Sequence, residues 1–312
     1  MSDTLPDKPP SLLSRAWDSD VAWSFRHSPV AIIAALVALL IVLSAVFAPW
    51  IAPHDPFNTA TLSLRDGFSR PMQENAAGNT FLLGTDGQGR DILSTILYGA
   101  RISLFVGFAA VIFSMILGIG LGLLAGFRGG WVDNLLMRIA DVQLSFPSIL
   151  IALLIFGVAR GFLPPALRDQ MAIWVLIVSI GLSDWVQYAR VVRGATMVEK
   201  NKEYVQAARV IGVHPARIAF RHILPNVMGP VLVISTIGLA LAIIAEATLS
   251  FLGVGVPPTQ PSLGTLIRVG QQFLFSGEWW ILFFPAMTLL ALALSVNLLG
   301  DWLRDALNPR LR

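Results

Sequence analysis

Residues 101–128 read RISLFVGFAAVIFSMILGIGLGLLAGFR, and no charged side chain stands between Arg101 and Arg128. About 20 apolar residues at roughly 1.5 Å each cover the hydrocarbon of a bilayer, so this run is long enough to cross one. Lipid offers no water to the backbone, and an α-helix satisfies its own N–H and C=O groups there. The rest of the chain has the same character. Of its 312 residues 55% are hydrophobic and 13% charged, with a mean hydropathy of +0.70. A soluble domain carries about 25% charged residues, so the composition speaks against an ordinary cytosolic enzyme and for an all-α, polytopic membrane protein.

Working outward, five further runs match this pattern. The first lies between Arg26 and Asp55 with its apolar heart at Val30 to Phe47. A third lies between Asp141 and Arg160, and a fourth runs from near Met171 to about Tyr188, interrupted by Asp184. The fifth, Val231 to Leu252, contains Glu246, and the sixth occupies Trp279 to Leu299. Trp50, Trp279 and Trp280 sit at span ends, where amphipathic rings favour the headgroup level. The polar stretch before the first span is too long for a cleaved signal peptide. Residues 1–29 read as a cytosolic tail, with a short interfacial helix or a disordered segment over Leu12 to Phe25, and residues 30–312 as one six-span unit. Placing both termini in the cytosol puts fifteen of the 22 Lys and Arg residues inside and seven outside, as the positive-inside rule favours.

Two connections exceed the roughly 12 to 15 residues beyond which a loop is functional or separately structured. One is extracytoplasmic, residues 52–100; the other is cytosolic, residues 187–230. In the latter, Lys200 to Ile211 carries Tyr204, Val205, Ala208 and Ile211 at helical spacing, and Gly212 supplies a stop. Pro215 suits the first turn of a second helix, Ala216 to Leu224, ending before Pro225 and Asn226. Ala207 and Ala208 leave one face without bulk, fit for a partner's groove. A basic segment resting on anionic lipid is the alternative.

Gln206-Ala207-Ala208, then Gly212, then His222-Ile223-Leu224-Pro225 resemble the EAA loop of ATP-binding cassette (ABC) importer permeases, E-A-A-x3-G-x9-I-x-L-P. Gln206 stands in place of Glu, which puts a purely ionic role for that position in doubt, with Glu203 nearby. His222 in place of Ile matches the dipeptide, oligopeptide and nickel branch. Leu83-Gly84-Thr85-Asp86 with Gly89-Arg90-Asp91, Tyr98 to Leu104, Gly129 to Asp133, Leu249 to Gly253 and Asn297 to Asp301 are similar to segments of that branch. The resemblance implies the type I importer permease fold and the second of two paired permeases. It also implies partners: a sister permease, two ATPase subunits that bind ATP and Mg, and an extracytoplasmic binding protein. Coupling to the ATPases is expected at Glu203, Gln206, Ala207, Ala208, Gly212 and Pro225. The cargo implied is peptide, with nickel chelates or peptide antibiotics as alternatives, across a bacterial inner membrane.

Catalysis and cofactors find no footing in this chain. Cysteine is absent and the four histidines, His27, His54, His214 and His222, have no metal-ligand spacing. Gly84 to Asp91 (GTDGQGRD) lacks the Lys and hydroxyl of a phosphate loop. A turn in which Asp91 caps the second span fits better, with Asp86 and Arg90 as candidate contacts to the binding protein. Nothing suggests nucleic acid. Gly118, Gly122 and Gly126 place a smooth strip on one helix face for close packing, and Arg138 and Asp141 lie one turn apart on an amphipathic stalk. Glu246, well inside a span, either lines a pathway for charged substrate or makes a structural hydrogen bond. The rival transporter class, ion-driven, should show two matching halves and broken helices, and no convincing repeat is found.

Overall fold

Ser28 and Pro29 start the first long helix: the Ser28 side chain accepts the Ala31 N–H at 3.3 Å, and proline occupies a position whose missing N–H costs nothing. The computed structural model describes residues 20–58, 62–75, 78–257 and 259–306. Its helices are α1 (Asp20–Arg26), α2 (Pro29–Val46), α3 (Ala48–Ile51), α4 (Ile92–Arg128), α5 (Gly130–Leu144), α6 (Ser148–Phe162), α7 (Arg168–Glu199) and α8 (Glu203–Val210). A continuous run, α9 (Pro215–Phe251), follows, then α10 (Leu263–Gln271) and α11 (Trp280–Ala306). Of the expected interfacial helix, residues 12–19 lie outside the described residues.

Five helical runs are long and apolar enough to cross a membrane, and the bent pair α5 and α6 supplies a sixth segment. The third span, expected as one straight run from Asp141 to Arg160, is instead broken, with a bend of 98° between α5 and α6. Pro147 is the cause. It stands as the N-cap of α6 with extended backbone, and a proline disfavours helical geometry in the residue before it. The 15 residues of α6 rise only about 22 Å.

At the centre of the bundle α4 lies against α7 along the glycine strip. A Cβ at Gly118 would come within 2.5 Å of Tyr188, at Gly122 within 2.5 Å of the Ala189 carbonyl oxygen, and at Gly126 within 2.8 Å of the Arg193 carbonyl oxygen. The backbones approach as closely as they do because no side chain separates them. The stalk α5 is fixed to α7 by long-range pairs: Arg193 grips Asp133 through two nitrogens, and Arg190 meets Asp141 at 2.5 Å. Asp141 therefore pairs across helices rather than with Arg138. Trp131, Leu135, Ile139 and Val142 form the expected stripe along α5, and it faces outward.

At one end of the bundle the described residues of the connection between α3 and α4, 52–58, 62–75 and 78–91, form a cap, with residues 92–100 already helical. Asp91 caps α4 as expected, its carboxylate accepting the Ser94 N–H at 2.9 Å and the Ser94 hydroxyl at 2.6 Å. Trp280 does not take a headgroup position: it is buried, and its indole Nε1 donates to the Thr85 carbonyl at 3.1 Å, tying the cap to α11. Trp50 and Trp279 remain exposed.

The glycine strip gives a direct test. Gly122→Leu should lower the unfolding midpoint of the purified chain by the equivalent of about 2 kcal/mol through overpacking. Gly120→Leu on the same helix, where a Cβ meets nothing within 4 Å, should leave it unchanged. Equal effects in a thermal melt would refute the packing.

Candidate functional site

At the end of the bundle opposite the cap, a polar hairpin joins α7 to α9. The first link is a run of turns after Glu199, in which the Lys200 ammonium donates to the Gly126 carbonyl at 2.7 Å and so ties the hairpin to the end of α4. The helix α8 follows. Its Val205 and Ala208 are buried and belong to one cluster with Ile218, Ala219 and Ile223. Gln206 and Ala207 are exposed, and Val210 and Ile211 leave 87% and 78% of their surface open. Ile211, at helical spacing from Val205 and Ala208, belongs to the outer tip.

The stop expected at Gly212 is in place. Its φ is +79°, the Val213 N–H donates to the Ala208 carbonyl at 3.0 Å, and the Gly212 N–H donates to the Arg209 carbonyl at 3.0 Å. These two bonds form a Schellman closure, and the left-handed backbone at its turning residue suits glycine. Beyond it, the Ala216 N–H donates to His214 Nδ1 at 3.3 Å, and Pro215 opens α9.

The second helix does not end before Pro225. Residues Ile218–Ile223 adopt π-helical hydrogen bonding, after which the α-helix resumes at Leu224 and runs to Phe251. The wider turn shifts the ladder so that Pro225 falls in a first turn, where its missing N–H is tolerated. The hairpin is consequently continuous with a span, and the connection between helices is confined to residues 200–214.

Glu199 and Tyr204 close the base of the hairpin. Lys202 Nζ donates to Glu199 Oε1 at 2.6 Å, the Tyr204 hydroxyl donates to Oε2 at 2.6 Å, and Asn226 Nδ2 donates to the Tyr204 oxygen at 3.1 Å. The 32 residues of α7 rise about 48 Å, so this last turn lies beyond the hydrocarbon. The Lys202 ammonium and the Tyr204 hydroxyl hold the Glu199 carboxyl below its ordinary value of 4.5. Glu203 is exposed, and the Gln206 amide donates to the Asn201 carbonyl at 3.0 Å.

The remaining candidates lie toward the cap and are bound up internally. Glu246 is fully buried. Ser103 donates to its Oε2 and Ser250 to its Oε1, each at 2.7 Å. Those serines accept the backbone N–H groups of Leu263 and Val256 at 3.2 and 3.3 Å. One carboxyl group thereby joins α4, α9 and the segment opening α10. Arg90 Nε donates to Asp86 Oδ2 at 2.7 Å, while Asp86 Oδ1 accepts the N–H groups of Gln88 and Arg90. Both side chains are buried, and only Gln88 at the turn is exposed.

Comparison with known proteins places these features in context. Residues 118–312 match the family model described as binding-protein-dependent transport system inner membrane component. Residues 12–70 match that of the N-terminal TM domain of oligopeptide transport permease C. The chain is 40% identical over 97% of its length to the di/tripeptide transport system permease protein DppC of Pseudomonas aeruginosa, of which it covers 94%. It is 38% identical to the dipeptide transport system permease protein DppC of Haemophilus influenzae over the whole of both chains. The oligopeptide transport system permease protein OppC of Bacillus subtilis is 38% identical, with 94% of this chain and 90% of that one covered. Among solved structures, an inward-facing MetNI methionine ABC transporter is similar in fold, with a TM-score of 0.53 and 19% identity over 69% of this chain and 96% of that one.

The hairpin's base carries a pH prediction. Because the Glu199 carboxyl is lowered, its contribution is complete above about 4.5 and is lost as pH falls through the folded value. Hydrogen-exchange protection of α8, corrected for intrinsic rates, should drop on acidification below about pH 4.5. In Glu199→Gln it should already be low at pH 7 and respond weakly to acid. Unchanged protection in that variant would contradict the role of the pair.

Proposed function

The chain belongs to the family of binding-protein-dependent transport system inner membrane components, and from that membership we propose that it is a permease subunit of an ATP-driven peptide importer. The peptide class is supported by the printed names of the relatives that match over nearly its full length, which favour it over nickel chelates. A sister permease supplies the other half of the pathway, and two ATPase subunits supply the energy. An extracytoplasmic binding protein delivers the cargo. The hairpin end faces the cytosol together with both termini, the orientation in which basic residues are retained inside.

One observation carries the coupling role: α8 has two faces of opposite use. Val205 and Ala208 lock it onto α9, while Gln206, Ala207, Val210 and Ile211 are left uncovered. An exposed apolar tip on a rigid, polar helix fits a groove in a partner. ATP-driven closure of the ATPase pair then moves α8, and α9 carries the displacement into the bundle because no loop intervenes. Gln206 fits this reading without a charge, since Ala207 and Val210 beside it are apolar and exposed. At the other end the Asp86 and Arg90 pair shapes a turn whose Gln88 meets the binding protein. Glu246 serves as a clasp between α4, α9 and α10, rather than as a wall of the pathway, while the bundle is in the state described.

In the importer reconstituted with its ATPases, Ile211→Asp or Val210→Asp should cut ATP-dependent dipeptide uptake by at least about tenfold, with the unfolding midpoint unchanged. Uptake at the level of the unmodified importer would contradict docking at the tip.

A further inference from the structure

A groove of about 570 Å³ opens where the hairpin end of α4 meets the π-helical turns of α9. Its walls are Gly120, Leu123, Leu124 and Phe127 of α4 facing Ala219 and Phe220 of α9, and Phe220 leaves 61% of its surface uncovered. The inner end at Gly120 is eight residues from Arg128, about 12 Å along the helix. Gly120 thus falls inside the charge-free run read as crossing the bilayer, a depth suited to lipid rather than to a soluble ATPase. At the mouth the groove changes character: Arg128 lines it, while the Arg209 guanidinium, outside the lining, rests over the Phe127 ring at 5.7 Å from its centre and adds to the positive charge nearby. Among the described residues no ion pair engages Arg128, Arg209, Arg217 or Arg221. Apolar walls at membrane depth under a basic mouth are the complement of one ligand chemistry, an acyl chain carrying an anionic headgroup.

We propose that this groove binds an anionic phospholipid, with an acyl chain along Gly120 and Phe220 and the headgroup phosphate held by Arg128. The site adjoins the only stretch of α9 among the described residues with π-helical bonding, Ile218–Ile223, between the coupling helix and the span it drives. A chain seated there packs against Ala219 and Phe220 within those turns. The lipid would thus set how readily α8 displaces α9. The site itself rests on the groove's depth and charge; only the choice of leaflet rests on the orientation given above.

The test uses the full chain in vesicles of phosphatidylcholine mixed equally with phosphatidylglycerol, extracted gently and weighed intact by native mass spectrometry. Wild type should retain phosphatidylglycerol in preference to phosphatidylcholine. Arg128→Gln should reduce that retention about fivefold. Gly120→Leu, which fills the groove at a position with open space around it, should reduce retention of both lipids while the melt stays unchanged. Equal retention of the two lipids by wild type, or no effect of either variant, would overturn the proposal. So would the assembled importer in which a photocrosslinker on Gly120→Cys, the single cysteine of that variant, reacts with a second permease chain and no lipid. Absence of ATP-dependent peptide uptake by the unmodified assembled importer, with lipid retention intact, would count against the importer reading alone.

Discussion

Val205 and Ala208 seat α8 on a helix that runs unbroken from Pro215 to Phe251, the route by which a force on α8 would reach the membrane spans. A flexible link at Pro225 would dissipate any displacement. The π-helical turns prevent that break by bringing the proline into a first-turn position. Glycine at 212 turns the chain back sharply, so α8 ends with its apolar tip outward rather than trailing into the next helix.

The bundle that α8 rests on is clamped at both ends. Near the hairpin, the Asp133 and Arg193 pair and the glycine strip hold α4, α5 and α7 together. Near the cap, the Glu246 carboxyl and its two serines join α4, α9 and α10. A buried carboxyl inside a span is costly unless it is fully hydrogen-bonded, and here both oxygens have a donor. Packed elements held by discrete contacts of this kind shift between arrangements rather than deform continuously, which suits alternating access.

Much of this was legible in the sequence. Charge-free runs located the spans, Asp91 announced the cap of α4, and Gly118, Gly122 and Gly126 announced the helix contact, because each is a local signal with a local cause. The misses have other origins. Pro147 broke the third span, a local signal masked by the apolar run around it, whereas the π-helical turn that carried α9 past Pro225 depends on how the ladder is re-registered. Asp141 pairs with Arg190, 49 residues away, and Glu246, besides its neighbour Ser250 one turn on, is held by Ser103, 143 residues away; neither distant partner follows from periodicity. Trp280 looked like a headgroup anchor and is instead a buried tie to Thr85. The short helix α10 went unseen because its Ser262 cap stands in a stretch too brief for an apolar period to register.

The coupling role can be read most directly by disulfide or maleimide chemistry at the tip of α8, since the native chain has no cysteine to interfere. With Val210→Cys as the sole thiol, maleimide should react readily with the isolated permease and be blocked once the ATPase subunits are bound, with crosslinks leading to them. A thiol that stays fully reactive in an assembled importer hydrolysing ATP would show that α8 is not where the motor engages.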